Sequence, residues 1–373
     1  MMKILELSNY YPEHPGGIEI VAWNLVKRWR QHHKVRWMAC DAREHPHVCA
    51  EDDIPISANN FTEEHLGFPY PIPLGKSIFQ IFKQAKWCDA VHIHDCLYLA
   101  NIFAVIASRL YNKPLLITQH VALVPYHEAY KNVLQRLAYD TLGKFVLKHA
   151  ETVIFISERV KDWFAARVEC GQNAILIPNG IDRHLFYPPV SEERQTFRAN
   201  LGFSPSDSVC LYVGRFIQKK GIHLINKIAR SRLNLRWVMI GKGEINPRDW
   251  NLPNVQVLPP QPQAALRAYY GAADLFVLPS AGEGFPLVVQ EALSCGLPTA
   301  VSQEIADYLP DAPLVKLNTT ALPTIYETLD KLFAQPKHLW DLRNAAVEYS
   351  KRWDWDNVVR QYEELLIKLT SRH

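Results

Sequence analysis

The chain of 373 residues lacks the marks of several protein classes. Its seven cysteines are scattered and odd in number, with no C-x-x-C pair, so we expect reduced thiols in a cytoplasmic protein rather than a disulfide framework. The formal net charge is only +3, and no basic run is interleaved with aromatic residues. Nucleic acid is therefore not expected as a partner.

Long apolar runs are also missing. The longest mostly apolar stretch, Cys96–Ser108, is too short to span a bilayer, and the opening residues resemble a strand rather than a signal peptide. Any membrane contact is expected to be peripheral, at the inner face of the cytoplasmic membrane. No G-x-G-x-x-G follows the first strand, Ile4–Leu7, which disfavours a dinucleotide oxidoreductase.

Short apolar segments alternate with helical patterns throughout, which predicts an α/β protein with parallel sheets. The predicted strands are Ile4–Leu7, Lys34–Met38, Ala90–His94, Leu115–Thr118, Thr152–Ile156, Ala174–Ile177, Val209–Val213, Leu235–Ile240, Val255–Leu258, Ala273–Leu278 and Thr299–Val301. Predicted helices include 18–30, 97–110, 130–149 and 355–369, while 44–75 is expected to be mostly irregular.

Leu185–Ser206 is interpreted as a linker because it combines a proline pair with charged residues. The same layout on both sides of it predicts two doubly wound domains, 1–185 and 186–352. A last segment, 353–373, is expected to form a helix that crosses back to the first domain. Two such domains facing each other would bring the carboxyl ends of both sheets to one deep cleft, where ligands bind in this architecture.

The segment Pro279–Pro298 contains the most informative pair of residues. A buried strand leads into it, Pro286 suits a helix start, and Gly296 suits its end. Glu283 is therefore predicted on a loop at the edge of the sheet and Glu291 within the helix, with free amides between them. Carboxylates and helix amides together suit a ligand with hydroxyls and phosphates, such as a nucleotide-sugar.

Two cations follow another predicted strand, in Gly214–Gly221. Arg215 can hold phosphate oxygens in a fork and Lys220 supplies a point charge, although two solvated loop cations would look the same. In Pro15–Glu19, glycines between the first strand and helix permit close backbone approach to a ligand, although an ordinary tight turn is the alternative.

Histidines occupy two strand ends. His120 follows a predicted strand and either contacts a sugar or is structural. His92 and His94 are expected on alternate faces of another strand; His92 is expected to be structural, and the role of His94 is left open. Asp354 and Asp356 match a metal-binding D-x-D pattern, but an aspartate before the last helix is more simply an N-cap.

Taken together, these segments resemble glycosyltransferase family 4, the retaining nucleotide-sugar enzymes of GT-B fold. The matching segments are Pro15–Glu19, His94-Asp95, His120, Ile177–Asp182, Gly214–Gly221, Ala273–Ser280 and Glu283–Ala292.

The resemblance implies roles for individual residues. Glu291 would bind the ribose hydroxyls and Glu283 the donor sugar. Arg215 and Lys220 would hold the diphosphate, and His120 would lie beside the donor sugar. Further donor contacts are implied at Gly17, Gly284, Phe285 and Leu287. No metal and no other cofactor is expected, because protein cations and helix amides take the place of a divalent ion.

The expected activity is transfer of a sugar from a UDP- or GDP-sugar to an acceptor hydroxyl, in synthesis of cell-surface glycan, lipopolysaccharide or glycolipid. One departure concerns 301–305, where relatives often carry a glycine pair that this chain lacks. That difference leaves open a catalytically weak paralogue that only binds a nucleotide-sugar.

The acceptor is expected to be a saccharide or a lipid-linked sugar. Gly75–Trp87 can form a basic amphipathic helix, and Trp23–Arg30 adds cations and aromatic rings. Such a surface suits contact with an anionic membrane, although a core-packed helix with a solvated basic face is the alternative.

Overall fold

The structure is a computed structural model that describes residues 1–373 apart from 15, 41–50, 60, 62–69, 124–127, 169–173, 282, 284 and 373. The chain divides into two compact units. The first comprises Met1–Gly180 with Trp355–His373, and the second comprises Ile181–Asp354.

The first unit is built on a parallel sheet of seven strands in the order β3-β2-β1-β6-β7-β8-β9. These strands are β1 (Lys3–Tyr10), β2 (Lys34–Cys40), β3 (Asp53–Ile56), β6 (Ala90–His94), β7 (Leu115–Gln119), β8 (Thr152–Phe155) and β9 (Ala174–Leu176). Two short strands, β4 (Ala58–Asn59) and β5 (Ile72–Pro73), form a separate antiparallel pair. The central strands are buried along their length because helices cover both faces of the sheet.

Helices flank this sheet in two layers. The described helices are α1 (Gly17–Trp29), α2 (Gly75–Trp87), α3 (Leu99–Leu110), α4 (Ala129–Ala138), α5 (Lys144–Lys148), α6 (Glu158–Ala165) and α14 (Trp355–Thr370). A π-helical turn, Tyr139–Gly143, joins α4 to α5. Helix α14 packs against α1 and β6, whereas α3 packs against α2 and α5. Right-handed crossovers on the two sides of β1 put α1 and α3 on opposite faces of the sheet.

The second unit has a six-stranded parallel sheet in the order β12-β11-β10-β13-β14-β15. Its strands are β10 (Ser208–Val213), β11 (Leu235–Ile240), β12 (Val255–Leu258), β13 (Leu275–Leu278), β14 (Thr299–Ser302) and β15 (Leu314–Leu317). Its helices are α7 (Ser191–Asn200), α8 (Ile222–Ser231), α9 (Gln263–Ala272), α10 (Leu287–Ser294), α11 (Gln303–Asp307), α12 (Leu322–Phe333) and α13 (Pro336–Ser350).

The prediction of two Rossmann-like parallel-sheet domains is confirmed, and each predicted strand is present with small changes at its ends. Two details were wrong. The interval 44–75, expected to be irregular, contains β3, β4 and β5 in its described part, and the expected linker contains helix α7. The three strands are short and helix α7 is strongly polar, so their apolar periodicity is weak. Among the described residues, every helix is too short or too polar to cross a bilayer.

Each sheet reverses its strand order once, between β1 and β6 in the first unit and between β10 and β13 in the second. Loops leaving the carboxyl ends of two such neighbouring strands diverge to opposite faces and leave a crevice. Ligands of open parallel sheets bind at this position. The candidate site residues are therefore best described from these two switch points.

Candidate active site

In the second unit, the loops that follow β10 and β13 lie side by side at the switch point. The backbone N–H of Ala281 donates to the carbonyl of Lys219 over 2.9 Å and ties the two loops together. The Tyr212 hydroxyl, at the end of β10, donates to the carbonyl of Arg215 over 2.7 Å. These bonds fix the backbone from which the predicted diphosphate cations project.

Lys220 and Glu283 form an ion pair across these loops. Lys220 Nζ lies 2.7 Å from Glu283 Oε1, and the side chains are only 17% and 12% exposed. Burial pushes the pKa of Glu283 upward, but Lys220 and then Lys219 outweigh it and hold the pKa below the ordinary value. Glu283 is therefore an ionised acceptor, held in place by Lys220.

Arg215 is the exposed cation of this site. Its side chain makes no hydrogen bond or ion pair with any residue in the described part of the chain. Burial, followed by Glu283, raises the pKa of Tyr212, while Arg215 opposes this shift. The charges of Glu283 and Arg215 therefore both act on the Tyr212 hydroxyl. Because Lys220 is paired with Glu283, the structure brings Arg215, Lys220 and Glu283 to one crevice.

Gly221 allows the Lys220 loop to approach strand β13. Its φ of +75° lies in the left-handed region, and a Cβ there would come within 2.3 Å of the Pro279 carbonyl oxygen. A side chain is therefore excluded both by backbone conformation and by space. Helix α8 begins at the next residue, so this close approach also determines where the helix starts.

Glu291 has separate partners. It lies on α10 and is buried, with Oε2 accepting from the Tyr270 hydroxyl at 2.7 Å and Oε1 accepting from the Gln263 side chain at 3.3 Å. Burial raises its pKa, and the bonds from Tyr270 and Gln263 oppose the rise. Neither partner could be predicted from the sequence around Glu291, because both lie on helix α9.

The remaining donor-contact predictions lie around the start of α10. Phe285 packs edge to face against Trp353, with ring centroids 5.5 Å apart, and Leu287 is the first residue of the helix. Pro286 takes the N-cap position. Gly284 lies outside the described residues.

Ser302 occupies the segment in which relatives often carry a glycine pair. Its hydroxyl donates to the Ser280 carbonyl over 2.7 Å and also accepts the backbone N–H of Ile305 at the start of α11. The serine therefore braces the loop after β13 and caps the next helix.

In the first unit, the glycine motif lies at the start of α1. Gly17 is the first helical residue and Gly16 is the N-cap. The carboxylate of Glu19 folds back so closely that a Cβ on Gly16 would lie 2.0 Å from its Oε2 atom. At Gly16, the close approach is thus made by the helix's own acid.

A buried polar network links β1, β6 and the end of β7 at the switch point of the first unit. Glu6 on β1 receives two histidines, with His92 Nδ1 2.6 Å from Oε2 and His94 Nε2 2.6 Å from Oε1. His94 Nδ1 then lies 2.7 Å from His120 Nε2. A second branch runs from His92 Nε2 to the Thr118 hydroxyl at 2.8 Å. We call these residues, with Tyr362, the Glu6 network.

The branch through Thr118 ends at Tyr362 of α14, whose hydroxyl lies 3.0 Å from Thr118 Oγ1. Glu6 pairs with His92 in the register of β1 and β6, and residues two apart share one face of a strand. The assignment of His92 and His94 to alternate faces was therefore wrong. Both project to the face covered by α1 and α14.

Burial shifts the pKa of Glu6 and the pKa values of the three histidines in opposite directions. It raises the pKa of Glu6 to about 7, with His94 opposing the rise. It lowers the pKa of His94 to about 4 and that of His120 to about 3. The pKa of His92 is likewise lowered to about 3. The three histidines are therefore neutral near pH 7, whereas Glu6 can gain or lose a proton there.

Asp95 holds the backbone at His120. Its Oδ1 accepts the His120 N–H at 2.9 Å and the Gln119 side-chain amide at 2.6 Å. Asp95 has a φ of +57°, which a short polar side chain tolerates better than a branched one. Burial raises its pKa to about 7.

Among the described residues, Glu6, His92 and His94 form the group of acid and histidine side chains whose ligand atoms lie close enough together, within 4.8 Å of one another, to hold a metal ion. Each histidine nitrogen, however, is at hydrogen-bonding distance from its own carboxylate oxygen, and all three side chains are fully enclosed. We therefore describe them as a hydrogen-bond network. Asp356 of the D-x-D pattern lies 3.9 Å from Arg28, and Asp354 directly precedes α14.

Exposed apolar side chains concentrate on the helical layer formed by α2, α3, α4 and α5. Val133 is 66% exposed and Leu137 57%, on one stripe of α4. The other exposed apolar residues of this layer are Phe79, Ile106, Leu110, Tyr130, Leu134, Leu142 and Phe145. Trp29, which was expected on a basic and aromatic surface, is buried, and Arg30 is bound to Asp53 at 2.6 Å.

Two parallel-sheet units, the second with Arg215, Lys220 and Glu283 on the loops of its switch point, match the architecture of GT-B glycosyltransferases, and comparison with known proteins identifies this class. The model "Glycosyltransferase Family 4" matches residues 15–185, and "Glycosyl transferases group 1" matches 193–307. The chain belongs to glycosyltransferase family 4 and is a transferase enzyme.

Relatives and solved structures align with nearly the whole chain. It is 25% identical to the GDP-mannose:cellobiosyl-diphosphopolyprenol alpha-mannosyltransferase of Xanthomonas oryzae pv. oryzae, over 97% of this chain and 95% of that protein. Sucrose-phosphate synthase from Thermosynechococcus elongatus superposes with a TM-score of 0.79 at 20% identity, with 100% of each chain covered. Anabaena HepE in complex with UDP-glucose gives 0.75 at 19% identity, covering 99% of this chain and 100% of that one.

Proposed function

We propose that the protein transfers a sugar from a nucleoside diphosphate sugar to an acceptor hydroxyl, with retention of configuration at the anomeric carbon. The observation that supports this most directly is the crevice between β10 and β13. It combines an exposed Arg215 with a Lys220–Glu283 ion pair of 2.7 Å. Cations suit a diphosphate, and an ionised carboxylate suits sugar hydroxyls.

We expect GDP-mannose as the first donor to test and UDP-glucose as the second. The relative from Xanthomonas oryzae, which aligns over 97% of this chain, is named for GDP-mannose. The HepE structure contains UDP-glucose. In either case we assign the diphosphate to Arg215 and Lys220, the donor sugar to Glu283 and the ribose to Glu291.

In the proposed reaction, the acceptor hydroxyl approaches the face of the sugar from which the diphosphate leaves. The bond between the anomeric carbon and the phosphate oxygen breaks, and the bond to the acceptor oxygen forms. The acceptor proton passes to the leaving phosphate, so no separate protein base is required. Arg215 and Lys220 stabilise the negative charge that grows on the leaving group, which is where binding accelerates a reaction.

The decisive experiment uses purified protein, labelled GDP-mannose or UDP-glucose, and a diphosphopolyprenol-linked sugar as acceptor, with EDTA present. Turnover is expected under these conditions, and loss of turnover with EDTA would contradict metal independence. Arg215→Ala and Lys220→Ala should each lower kcat by on the order of 100-fold or more. Lys331→Ala, on exposed helix α12, is the matched control. Full activity in the Arg215 and Lys220 variants would overturn the assignment.

Retention and the catalytically weak alternative need separate measurements. NMR of the early product should show the anomeric configuration of the donor, and inversion would exclude the same-face mechanism. Donor hydrolysis without acceptor tests whether the protein only binds nucleotide-sugar. The segment 301–305 lacks the glycine pair, but its Ser302 holds the loop after β13 by a hydrogen bond to the Ser280 carbonyl. We therefore favour an active transferase over a catalytically weak paralogue.

We further propose that the acceptor is lipid-linked and that the helical layer of α2 to α5 rests on an anionic membrane at its cytoplasmic face. The layer also carries basic side chains. Helix α4 contributes Arg136 and Lys131, which pairs with Glu128, and the other helices contribute Lys76, Lys83, Lys86, Arg109, Lys144 and Lys148. Apolar burial and attraction to anionic headgroups act together in such contacts, with roughly 1 kcal/mol for each cation near the surface.

Flotation with vesicles of phosphatidylglycerol and phosphatidylcholine tests this surface. The wild-type protein should float with the anionic vesicles and remain behind with the neutral ones. Val133→Ser combined with Leu137→Ser should abolish flotation, whereas Leu233→Ser, on an equally exposed side chain of the second unit, should not. Binding that is indifferent to lipid charge, or unaffected by the double substitution, would reject the proposal.

A further inference from the structure

The Glu6 network is unusual for the interior of a parallel sheet. Central strands of such sheets normally carry apolar residues on both faces, yet Glu6, His92, His94 and Thr118 place polar groups on adjacent strands of one face. Buried polar groups of this kind rarely add stability over apolar ones of similar size. One of its two branches ends at His120, the residue that follows the carboxyl end of β7.

The position of each proton along the branch from Glu6 to His120 follows from the hydrogen-bond contacts. With Glu6 ionised, His94 donates from Nε2 to Oε1. A neutral imidazole has one N–H, so His94 Nδ1 must accept, and His120 must donate to it from Nε2. His120 Nδ1 then carries a lone pair.

One added proton reverses this branch. A proton on Glu6 Oε1 donates to His94 Nε2, so His94 carries its own proton on Nδ1 and donates to His120 Nε2. His120 must then carry its proton on Nδ1. His92 can donate to Oε2 in both states, so the second branch does not need to change.

We propose that Glu6 is a positioning residue for sugar transfer, because its proton sets, through His94, whether His120 presents a hydrogen-bond acceptor or donor at Nδ1. The inference rests on the proposed function, in which His120 lies beside the donor sugar. A sugar hydroxyl can meet either form of Nδ1, but with opposite hydrogen-bond direction. The relay would therefore couple donor binding or transfer to pH.

Few other titratable groups face this relay. Glu6 is faced by His92 and His94 of β6 and by Tyr362 of α14, while α1 contributes the Trp29 ring against His92. His120 is faced by His94 and by Asp95, which bonds to its backbone N–H. The pKa of Asp95 is also raised to about 7, but its Oδ1 accepts from the His120 backbone N–H and the Gln119 side-chain amide rather than from the His120 ring. The pKa values of His94 and His120 are lowered to about 4 and about 3, so Glu6 is the member of the chain from Glu6 through His94 to His120 that can change protonation near pH 7.

The test is the ¹⁵N spectrum of histidine-labelled full-length protein between about pH 5 and about pH 9. His120 is assigned from its loss in His120→Gln. In the wild type, the Nδ1 resonance should change from that of an unprotonated to that of a protonated nitrogen as pH falls, with Nε2 changing in the opposite sense. Glu6→Gln is nearly isosteric and should hold one tautomer at every pH. Tyr362→Phe removes only the hydroxyl of the other branch and should behave as wild type.

A single His120 tautomer across this pH range in the wild type, or the same transition in Glu6→Gln, would overturn the proposal. The kcat/KM profile gives the second readout, because its inflection should disappear in Glu6→Gln and persist in Tyr362→Phe. Absence of transfer in every protein would refute the proposed function alone, since the tautomers are measured without substrate.

Discussion

The ion pair between Lys220 and Glu283 yields a prediction that is independent of any substrate. The two side chains are held 2.7 Å apart at 17% and 12% exposure. Burial is the largest influence on the pKa of Glu283 and acts to raise it, while Lys220 is the largest influence in the other direction. Replacing Lys220 by methionine should therefore leave a mostly buried carboxylate without the charge that stabilises it most.

The cost lies between two measured limits. Breaking a fully buried pair destabilises a protein by about 3–5 kcal/mol, whereas an exposed pair contributes about 0.2–1 kcal/mol. Because both side chains are mostly but not fully buried, we expect Lys220→Met to lower the free energy of unfolding by about 2–3 kcal/mol at pH 8. Lysine packing by its methylene stem is largely retained by methionine.

The pH dependence gives the sign of the effect. In the wild type, the folded pKa of Glu283 is below the ordinary value of 4.5, so its contribution to stability is present above pH 4.5 and is lost as pH falls through the folded pKa. In Lys220→Met, the folded pKa should lie above 4.5. The variant's deficit is then fully present above this raised pKa and shrinks as pH falls towards 4.5.

The assay is a double-mutant cycle with Lys220→Met, Glu283→Gln and the combined variant, measured by urea unfolding at about pH 8 and about pH 5. Since two units can unfold separately, a probe of the second unit is needed, and the Phe285–Trp353 contact makes Trp353 fluorescence suitable. The combined variant should be more stable than Lys220→Met at pH 8. Equal stability of those two variants, or a Lys220→Met deficit that does not change with pH, would refute the reasoning.

Three further perturbations test other parts of the site by thermal unfolding. Gly221→Ala should cost about 2–4 kcal/mol because it combines positive φ with a Cβ 2.3 Å from the Pro279 carbonyl, whereas Gly202→Ala, at nearly the same φ but in open space, should cost only about 1–2 kcal/mol; equal losses would remove the steric argument. Tyr270→Phe should cost about 1–3 kcal/mol near neutral pH and raise the pKa of Glu291 further, because the buried carboxylate loses the donor at 2.7 Å; adding Glu291→Gln should recover part of the loss, and no recovery would argue against an ionised Glu291. Ser302→Ala should cost about 1–2 kcal/mol through loss of the cap and of the bond to Ser280, while Ser302→Thr keeps both groups and should be nearly neutral; a Thr variant as unstable as the Ala variant would indicate a packing effect instead.

Local sequence determined the strands and the residues placed at their ends. Runs such as Leu235–Ile240 and Ala90–His94 are continuous, apolar or β-favouring, and bounded by turn residues, so their extents were predictable. Because the carboxyl ends of parallel strands lie at one edge of a sheet, the sequence alone predicts Arg215, Lys220 and Glu283 on loops at the same edge.

Tertiary structure alone decided the partners of the buried charges. Glu6 is the one acid of strand β1, and only the pairing of β1 with β6 shows that it forms hydrogen bonds with both His92 and His94. Glu291 likewise depends on Tyr270 of another helix. The shared face of His92 and His94, in contrast, follows from the sequence alone, because residues two apart in a strand lie on the same face.

The physical reason for this division is the range of the forces involved. Backbone conformation, caps and apolar periodicity act between neighbours in sequence, and the chain therefore specifies its strands, its helices and the loops that carry charge. The pKa of a buried acid depends on groups far away in sequence, as Glu6 and His94, 88 residues apart, illustrate, and these meet only when the sheet is assembled.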